Sequence, residues 1–166
     1  VAVAGLSVGQ ATAVTLAMEG VGGAFRLADF DRLELSNMNR LRAGVYDLGL
    51  NKATLTARQI YEMNPYAVVD VLTEGVNERN LDAFLDGIDL LFEECDDLGI
   101  KLRLREKARE RRIPVLMETS DRGLIDVERF DTEPDRPLLH GLTGDVRAAD
   151  LGGLTTFQKV PIVLRM

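Results

Sequence analysis

Nine residues set the architecture of this chain: Val1-Ala2-Val3-Ala4-Gly5-Leu6-Ser7-Val8-Gly9 joins a short apolar strand directly to a glycine-containing loop. A helix is expected from Gly9 to Gly20, because Ala, Thr, Leu and Met dominate there and Gly20 supplies a stop. A second apolar strand follows and ends in Asp29. This order is typical of a βαβ unit that binds a nucleotide, since the helix N-terminus offers free N–H groups to phosphate and the acid can hold a ribose hydroxyl.

Three further helix and strand pairs follow the first unit. Helices are predicted at 51–64, 77–85 and 98–112, each followed by an apolar strand, at 67–73, 88–92 and 113–117. Strands that alternate with helices in this way form a parallel sheet with right-handed crossovers. The sequence therefore predicts an α/β fold, a three-layer αβα Rossmann-like sandwich with a mainly parallel sheet. From Ser120 onward the pattern is irregular, apart from one antiparallel strand expected around 124–130.

Composition narrows the class of protein. With 166 residues and 46% hydrophobic content, the chain is sized for one domain with a substantial core. A formal charge of -7 argues against non-specific binding to nucleic acid or to an anionic membrane surface. The single cysteine, Cys95, excludes an internal disulfide and a multi-cysteine zinc site, and it favours a reducing compartment, so a cytoplasmic protein is expected. No apolar stretch reaches the length of a membrane span.

The residues after the second strand carry a more specific pattern. Residues 29–40 read Asp-Phe-Asp-Arg-Leu-Glu-Leu-Ser-Asn-Met-Asn-Arg, and Gly49-Leu50-Asn51-Lys52 and Asn64-Pro65 follow. Together with the glycine loop, they resemble the adenylation domain shared by ubiquitin-activating enzymes and the bacterial ThiF, MoeB and HesA adenylyltransferases. That family shows a glycine loop, D-x-D-x-V-E-x-S-N-L-N-R, G-x-x-K and N-P at matching intervals. The resemblance predicts an adenylation-type domain over 1–123. The broken pattern after it predicts an irregular extension of the same domain over 124–166, and the apolar segments at both ends lead us to expect a fragment of a longer chain.

The resemblance also implies ATP and Mg²⁺ as cofactors and assigns roles to individual residues. By resemblance, Arg40 and Lys52 contact the phosphates and act in catalysis. The nucleotide-binding residues it implies are Gly5, Gly9, Asp29, Asp31, Asn37, Arg40 and Lys52, with Asp29 on the ribose and Asn37 positioning the nucleotide. A guanidinium and an ammonium suit this chemistry, because attack on the α-phosphate builds negative charge on its oxygens and on departing pyrophosphate.

An acidic run, Glu93-Glu94-Cys95-Asp96-Asp97, follows the buried strand at 88–92. Four acids at one strand end would repel one another without a cation. In the family this strand ends in D-x-x-D-N, and its second aspartate is similar in role to a magnesium ligand, which makes Asp96 the metal and catalytic candidate. Mg²⁺ keeps several waters and bridges to phosphates, so one carboxylate can suffice. Cys95 itself is predicted to be a small buried side chain.

The leading functional hypothesis is ATP-dependent adenylation of the C-terminal carboxylate of a small ubiquitin-like or sulfur-carrier protein, in a homodimer by family analogy. Three departures from the family pattern stand against it: Leu6 replaces a loop glycine and puts a side chain where phosphate would approach, Asp97 replaces asparagine and Lys101 replaces arginine. They keep open a second hypothesis, a degenerate noncatalytic nucleotide-binding or dimerisation domain of a larger protein, which in similar proteins carries a nitroreductase-like domain. A third is an NAD-dependent oxidoreductase, which would use Gly5, Gly9 and Asp29.

A run of seven bases lies between Lys101 and Arg112, in the helix predicted over 98–112. Bases at alternating positions spread around a helix, while Leu104 and Ala108 mark an inward line. The run is therefore predicted to be a solvated face. His140 stands alone in the tail and is assigned no catalytic role.

Overall fold

The computed structural model describes residues 1–118 and 123–165. Within them the chain forms six strands: β1 (Ala2–Ala4), β2 (Ala24–Ala28), β3 (Val68–Leu72), β4 (Leu91–Glu93), β5 (Val115–Glu118) and β6 (Ile125–Glu128). The α-helices are α1 (Gly9–Met18), α2 (Lys52–Met63), α3 (Leu81–Phe84), α4 (Leu98–Glu110) and α5 (Thr156–Val163), and short 3₁₀ turns lie between them.

All six strands belong to one sheet, in the order β3-β2-β1-β4-β5-β6. β1 pairs in parallel with both β2 and β4, and only β6 runs antiparallel, against β5. The predicted α/β fold with a mainly parallel sheet is therefore confirmed, and so is the antiparallel strand in the tail. The strand order reverses between β1 and β4, which is where sheets of this kind open a crevice for ligands.

Two apolar clusters cover the two faces of the sheet and make the three layers. On one face α1 and α2 pack against β1 and β2, as Ala13 and Ile60 do against Val3 and Leu27. On the other face α3 and α4 pack against β1, β4 and β5 through a cluster that includes Phe84. The α4 side of this sheet is called the α4 face below, and the opposite side the α1/α2 face.

Three elements differ from the sequence-based expectation. The strand expected at 88–92 begins and ends later, since β4 spans Leu91–Glu93. The helix expected at 77–85 is reduced to α3, because Asn80 makes a turn: its Oδ1 accepts the Asn77 N–H at 2.8 Å and its Nδ2 donates to Gly75 O at 2.8 Å. The tail also holds α5, which sequence reasoning missed. Thr155 and Gln158 form a capping box at its start, a T-x-x-Q signal that was legible in the sequence but stood close to Pro161.

Candidate functional site

An open cleft of about 100 Å³ lies at the carboxyl ends of β1, β2 and β4, where the strand order reverses. Its walls come from the loops after these strands and from the turn after β3. The lining residues are Gly5, Ser7, Ala28, Asp29, Phe30, Asp31, Gly75, Val76, Glu94, Cys95, Asp96, Asp97 and Ile100. Of the residues predicted to bind nucleotide or metal, Gly5, Asp29, Asp31 and Asp96 thus share one cleft.

The two loop glycines have different structural roles. Gly5 has a φ of +87°, and a Cβ there would lie 2.4 Å from the Glu94 carbonyl oxygen. Only glycine lets the loop after β1 approach the loop after β4 so closely. Gly9 begins α1, and a Cβ there would lie 2.6 Å from Cγ1 of Val3, so its role in the structure is close packing of helix on strand. Gly9 does not line the cleft.

Leu6 does not obstruct the cleft, contrary to the expectation from its side chain. It is fully buried in the apolar cluster of the α1/α2 face, where it packs with Val3 and Ala13. Its backbone N–H instead donates to Asp29 Oδ2 at 2.7 Å. Val8, like Leu6, is absent from the cleft walls, and it precedes α1 without making a side-chain cap. The N-terminal N–H groups of α1 therefore have no side-chain acceptor at the N-cap.

Asp29 joins the loops on either side of the cleft. Its Oδ2 accepts from Leu6 and its Oδ1 accepts from the Asp31 N–H at 2.8 Å, and the carboxyl group is buried. Burial raises the pKa of Asp29, while these two hydrogen bonds and the charge of Lys52 act in the opposite direction. The acid predicted to hold a ribose thus also braces the glycine loop.

Lys52 lies directly behind the cleft wall. Its Nζ donates to Ser7 Oγ at 3.0 Å and to Asp31 Oδ2 at 2.8 Å, and both partners line the cleft. The side chain of Lys52 is 3% exposed, whereas that of Asp31 is 52% exposed. Sequence reasoning missed Ser7, although a hydroxyl residue inside a glycine loop is a signal that could have found it.

Arg40 and Asn37 lie outside the cleft walls. The exposed Arg40 guanidinium donates to Ser36 O at 3.3 Å and to Asn39 Oδ1 at 3.1 Å, both within its own loop. Asn37 is buried, and its Oδ1 accepts the Glu34 N–H at 3.0 Å. In this structure Asn37 therefore holds the shape of the loop.

The acidic run begins with the last residue of β4, and its members do not share one cation: three of the acids have separate partners within the protein, which corrects the sequence-based argument from repulsion. Glu93 is fully buried and ion-paired with Arg105 and Lys101, Glu94 accepts the Glu118 N–H at 2.9 Å, and Asp97 caps α4 by accepting the Ile100 N–H at 2.9 Å. The protein itself therefore holds three of the four acids. Sequence periodicity did not separate these roles, because all four acids look alike as a charge run.

Asp96 is the fourth acid, and its carboxylate is exposed on the cleft with no hydrogen-bond or ion-pair partner in the described part of the chain. Residues 1–118 and 123–165 contain no group of three or more His, Cys, Asp or Glu side chains that could hold a metal ion. A single free carboxylate in this cleft nevertheless fits Mg²⁺, which takes its other ligands from phosphate and water.

The basic run of α4 is only in part a solvated face. Arg105 is fully buried and contacts acids from two strands, and the Lys101 side chain is only 12% exposed. Helical spacing from Leu98 through Leu102 to Arg105 marked this inward position. The acids that Arg105 meets are Glu93 at the end of β4 and, at alternate positions of β6, Asp126 and Glu128. The inward positions of Leu104 and Ala108 are confirmed.

Cys95 and His140 have local partners. Burial raises the pKa of the Cys95 thiol well above its usual value, which disfavours the reactive thiolate and agrees with an inert side chain. His140 contacts Asp126 through Nε2, and its Nδ1 accepts from Arg136 Nη2 at 2.7 Å.

The sequence model of the ThiF family matches residues 1–143. The chain belongs to the ThiF family. This confirms the resemblance inferred from the motifs. Its fold is that of the ThiF and MoeB type of adenylation domain, and one similar structure, an Escherichia coli tRNA dehydratase, was solved both with ATP and with AMP. Among the described residues of this ThiF-family chain, none of the helices combines the length and hydropathy needed to cross a membrane.

Relatives of this ThiF-family chain are longer than it is. An uncharacterised protein of Mycobacterium tuberculosis is 58% identical over 166 residues, which make up 100% of this chain and 23% of that protein. A molybdopterin-synthase adenylyltransferase of Haemophilus influenzae is 26% identical over 93% of this chain and 64% of its own length. The Escherichia coli tRNA N6-threonylcarbamoyladenosine dehydratase in complex with ATP superposes with a TM-score of 0.68 and 30% identity, over 75% of this chain and 52% of that one. The chain thus spans less than two thirds of each.

Proposed function

We propose that this domain adenylates a carboxylate with ATP, the acceptor being the C-terminal carboxylate of a small ubiquitin-like or sulfur-carrier protein. The observation that carries the proposal is the composition of one cleft, in which a glycine loop, an acid suited to ribose and an unpaired carboxylate meet at the strand-order reversal. Relatives support it, since one is a molybdopterin-synthase adenylyltransferase and another was solved with ATP.

In this proposal the ribose end of ATP lies on Asp29 and the phosphates lie at the glycine loop and the start of α1. Lys52, held by Ser7 and Asp31, supplies a positive charge beside the phosphates, and Arg40 turns from its loop partners toward them when the nucleotide binds. Asp96 would hold Mg²⁺, which neutralises charge on the phosphates. The acceptor needs no general base, because a terminal carboxylate is already ionised at neutral pH.

A second candidate is adenylation of a carboxylate carried on a modified tRNA, favoured by the 30% identity to the tRNA dehydratase. The formal charge of -7 weighs against a nucleic-acid partner unless basic surface lies elsewhere in the complete protein. A homodimer and a cytoplasmic location complete the proposal and stay predictions.

Titration calorimetry with ATP-Mg and then with NAD tests the first step. Binding of ATP-Mg alone supports the proposal, NAD alone supports an oxidoreductase, and neither supports a noncatalytic scaffold. Exchange of labelled pyrophosphate into ATP then tests adenylation, with a carrier protein ending in glycine or a tRNA as acceptor. Asp96→Asn should lower exchange at least about tenfold, while Asp89→Asn serves as the matched control, since Asp89 is an exposed acid two residues before β4. Equal exchange in both variants and the wild type would contradict a role for Asp96.

A further inference from the structure

Arg105 is a buried cation at the centre of a charge cluster that the proposed reaction does not use. It projects from the middle of α4, and its side chain is 0% exposed, as are those of Glu93 and Glu128. Its Nη1 pairs with Glu93 on β4, and its Nε donates to Glu128 Oε2 on β6 at 2.6 Å. A third acid, Asp126, lies 3.6 Å from Nη2. One guanidinium therefore joins a helix to strands on both sides of β5.

The pKa values of the acids in this cluster depend on the neighbouring charges. Burial acts to raise the pKa of Glu93, but the charges of Arg105 and Lys101 outweigh it and lower the pKa. For Glu128 burial prevails and the pKa is raised, although Arg105 opposes the change. A guanidinium suits this position because its planar fork reaches several carboxylates at once, which a lysine ammonium cannot do with the same geometry.

Glu93 connects the cluster to the cleft. Its Oε2 faces Arg105 and Lys101, while its Oε1 accepts the N–H of Cys95 at 2.8 Å. Cys95 belongs to the turn at 94–97, which lines the cleft and carries Asp96. The position of one carboxylate therefore fixes both the ion cluster and the backbone of the turn.

Glu128 connects the same cluster to the tail. Its Oε1 accepts the Leu139 N–H at 2.5 Å. Leu139 and His140 have φ values of 47° and 54°, a left-handed conformation that is strained for residues other than glycine. Contacts with Glu128 and Asp126 hold this strained turn in place.

We infer that Arg105 is a positioning residue for the cleft: it holds Glu93, and through Glu93 it fixes the turn at 94–97 that presents Asp96 to the nucleotide. Glu128 holds Arg105 in turn, so the antiparallel strand and the tail support the cleft without touching it. The inference rests on the proposed function in one respect: the position of Asp96 affects activity only because the cleft binds a nucleotide in that proposal.

Cys95 provides a reporter that does not depend on nucleotide binding. It is the one cysteine among the 166 residues, it lies in the turn itself and it is partly buried, so a change in its rate of alkylation under native conditions reports a change in the conformation or exposure of the turn. The rate is read on the intact protein by peptide mass spectrometry with iodoacetamide. Arg105→Lys keeps the charge and removes the fork, and Arg103→Lys is the matched control, because Arg103 lies on the same helix in partly exposed pairs with Glu78 and Glu106.

Arg105→Lys should speed alkylation of Cys95 about tenfold and raise the Kd for ATP-Mg by about tenfold, the effect typical of groups that orient a ligand. The Kd for AMP should change less than about twofold, because in the proposed function Asp29, directly after β2, holds the ribose end. Arg103→Lys should leave all three values unchanged. Ile60→Val, in the cluster of the α1/α2 face, supplies a destabilised variant whose turn contacts are intact. If Arg105 only stabilises the fold, Arg105→Lys and Ile60→Val should raise the alkylation rate of Cys95 equally for an equal loss of unfolding free energy.

Equal alkylation rates at equal loss of stability in the two variants would overturn the inference. An unchanged alkylation rate in a folded Arg105→Lys protein would overturn it as well. If Arg105→Lys does not fold, Glu128→Gln decides in its place, since it weakens the hold on Arg105 with an isosteric side chain. If the wild type binds no ATP-Mg, the proposed function fails, and the alkylation rates alone still decide whether Arg105 positions the turn.

Discussion

The two faces of the sheet are stabilised in different ways. On the α1/α2 face the contacts are apolar and close-packed, as between Ile60, Leu27 and Phe25. On the α4 face an apolar cluster around Phe84 gives way, toward the carboxyl ends of the strands, to buried charges centred on Arg105. The first face is held by burial of hydrocarbon, whereas the second also needs each charge to find its partner.

This difference places the sensitive part of the fold next to the site. The loop after β1 is fixed by the small size of Gly5 and by hydrogen bonds to Asp29, whereas the turn after β4 depends on the ion cluster through Glu93. Apolar packing tolerates exchange of similar side chains, but a buried ion cluster does not tolerate the loss of one member. Substitutions on the α4 face should therefore affect the cleft more than equally destabilising ones on the other face.

The largest effect is expected from Arg105→Leu, which leaves Glu128 buried without its cation and Glu93 with Lys101 as its remaining ion-pair partner. Breaking a buried pair in this way costs about 3–5 kcal/mol of unfolding free energy, measured by urea denaturation. Adding Glu128→Gln to Arg105→Leu should recover part of the loss, because one uncompensated charge is removed. Ile60→Ala on the α1/α2 face leaves no uncompensated charge, so removing a charge elsewhere should not restore its stability. A loss below about 1 kcal/mol for Arg105→Leu would show that the cluster is not a main support of the α4 face.

The next effect concerns the seam where the two loops meet. Gly5→Ala should cost about 3 kcal/mol, since it combines a left-handed backbone for alanine with a contact of 2.4 Å to the Glu94 carbonyl. Gly20→Ala also has a positive φ, +72°, but meets no atom within 4 Å, so it separates backbone strain from the clash. Urea denaturation of both variants gives the comparison. Equal losses would mean that the close approach of the loops contributes nothing.

We expect the free energy of unfolding to depend on pH through Glu94, which lies on the cleft side of the turn. Burial raises the pKa of Glu94 to about 7, helped by the charge of Glu93 and opposed by the hydrogen bond from Glu118. Between the ordinary value of 4.5 and about 7 the folded protein keeps a proton that the unfolded chain has lost. Stability should therefore fall by about 2 kcal/mol as pH rises through this window and level off above it. Glu94→Gln should flatten this part of the profile in urea unfolding without nucleotide or Mg²⁺, and an identical profile in the variant would refute the assignment.

The sequence predicted most of what apolar periodicity and motif spacing control. The alternation of strands and helices predicted the sheet, and the motif at 29–40, followed by Lys52 and Asn64-Pro65, carried the resemblance to the family. The sequence could not predict ion pairs between residues that are far apart along the chain. Glu93, Glu128 and Arg105 lie on three different elements, and each alone looks like a surface charge. The placement of Arg40 also depends on loop conformation, because its neighbours Ser36 and Asn39 supply the acceptors for its guanidinium.

The smallest effect tests the α1/α2 face at Asn51, which caps α2 and also reaches the site. Its Oδ1 accepts the N–H groups of Ala53 at 2.9 Å and Thr54 at 3.1 Å, and its Nδ2 donates to Asp29 O at 2.8 Å. Asn51→Ala should cost about 1 kcal/mol, the usual loss for an N-cap. Asn51→Asp keeps the acceptor and loses the donor, so it should retain most of the stability in urea denaturation. If both variants lose the same amount, the bond to the Asp29 carbonyl, and not the cap, ties α2 to the cleft.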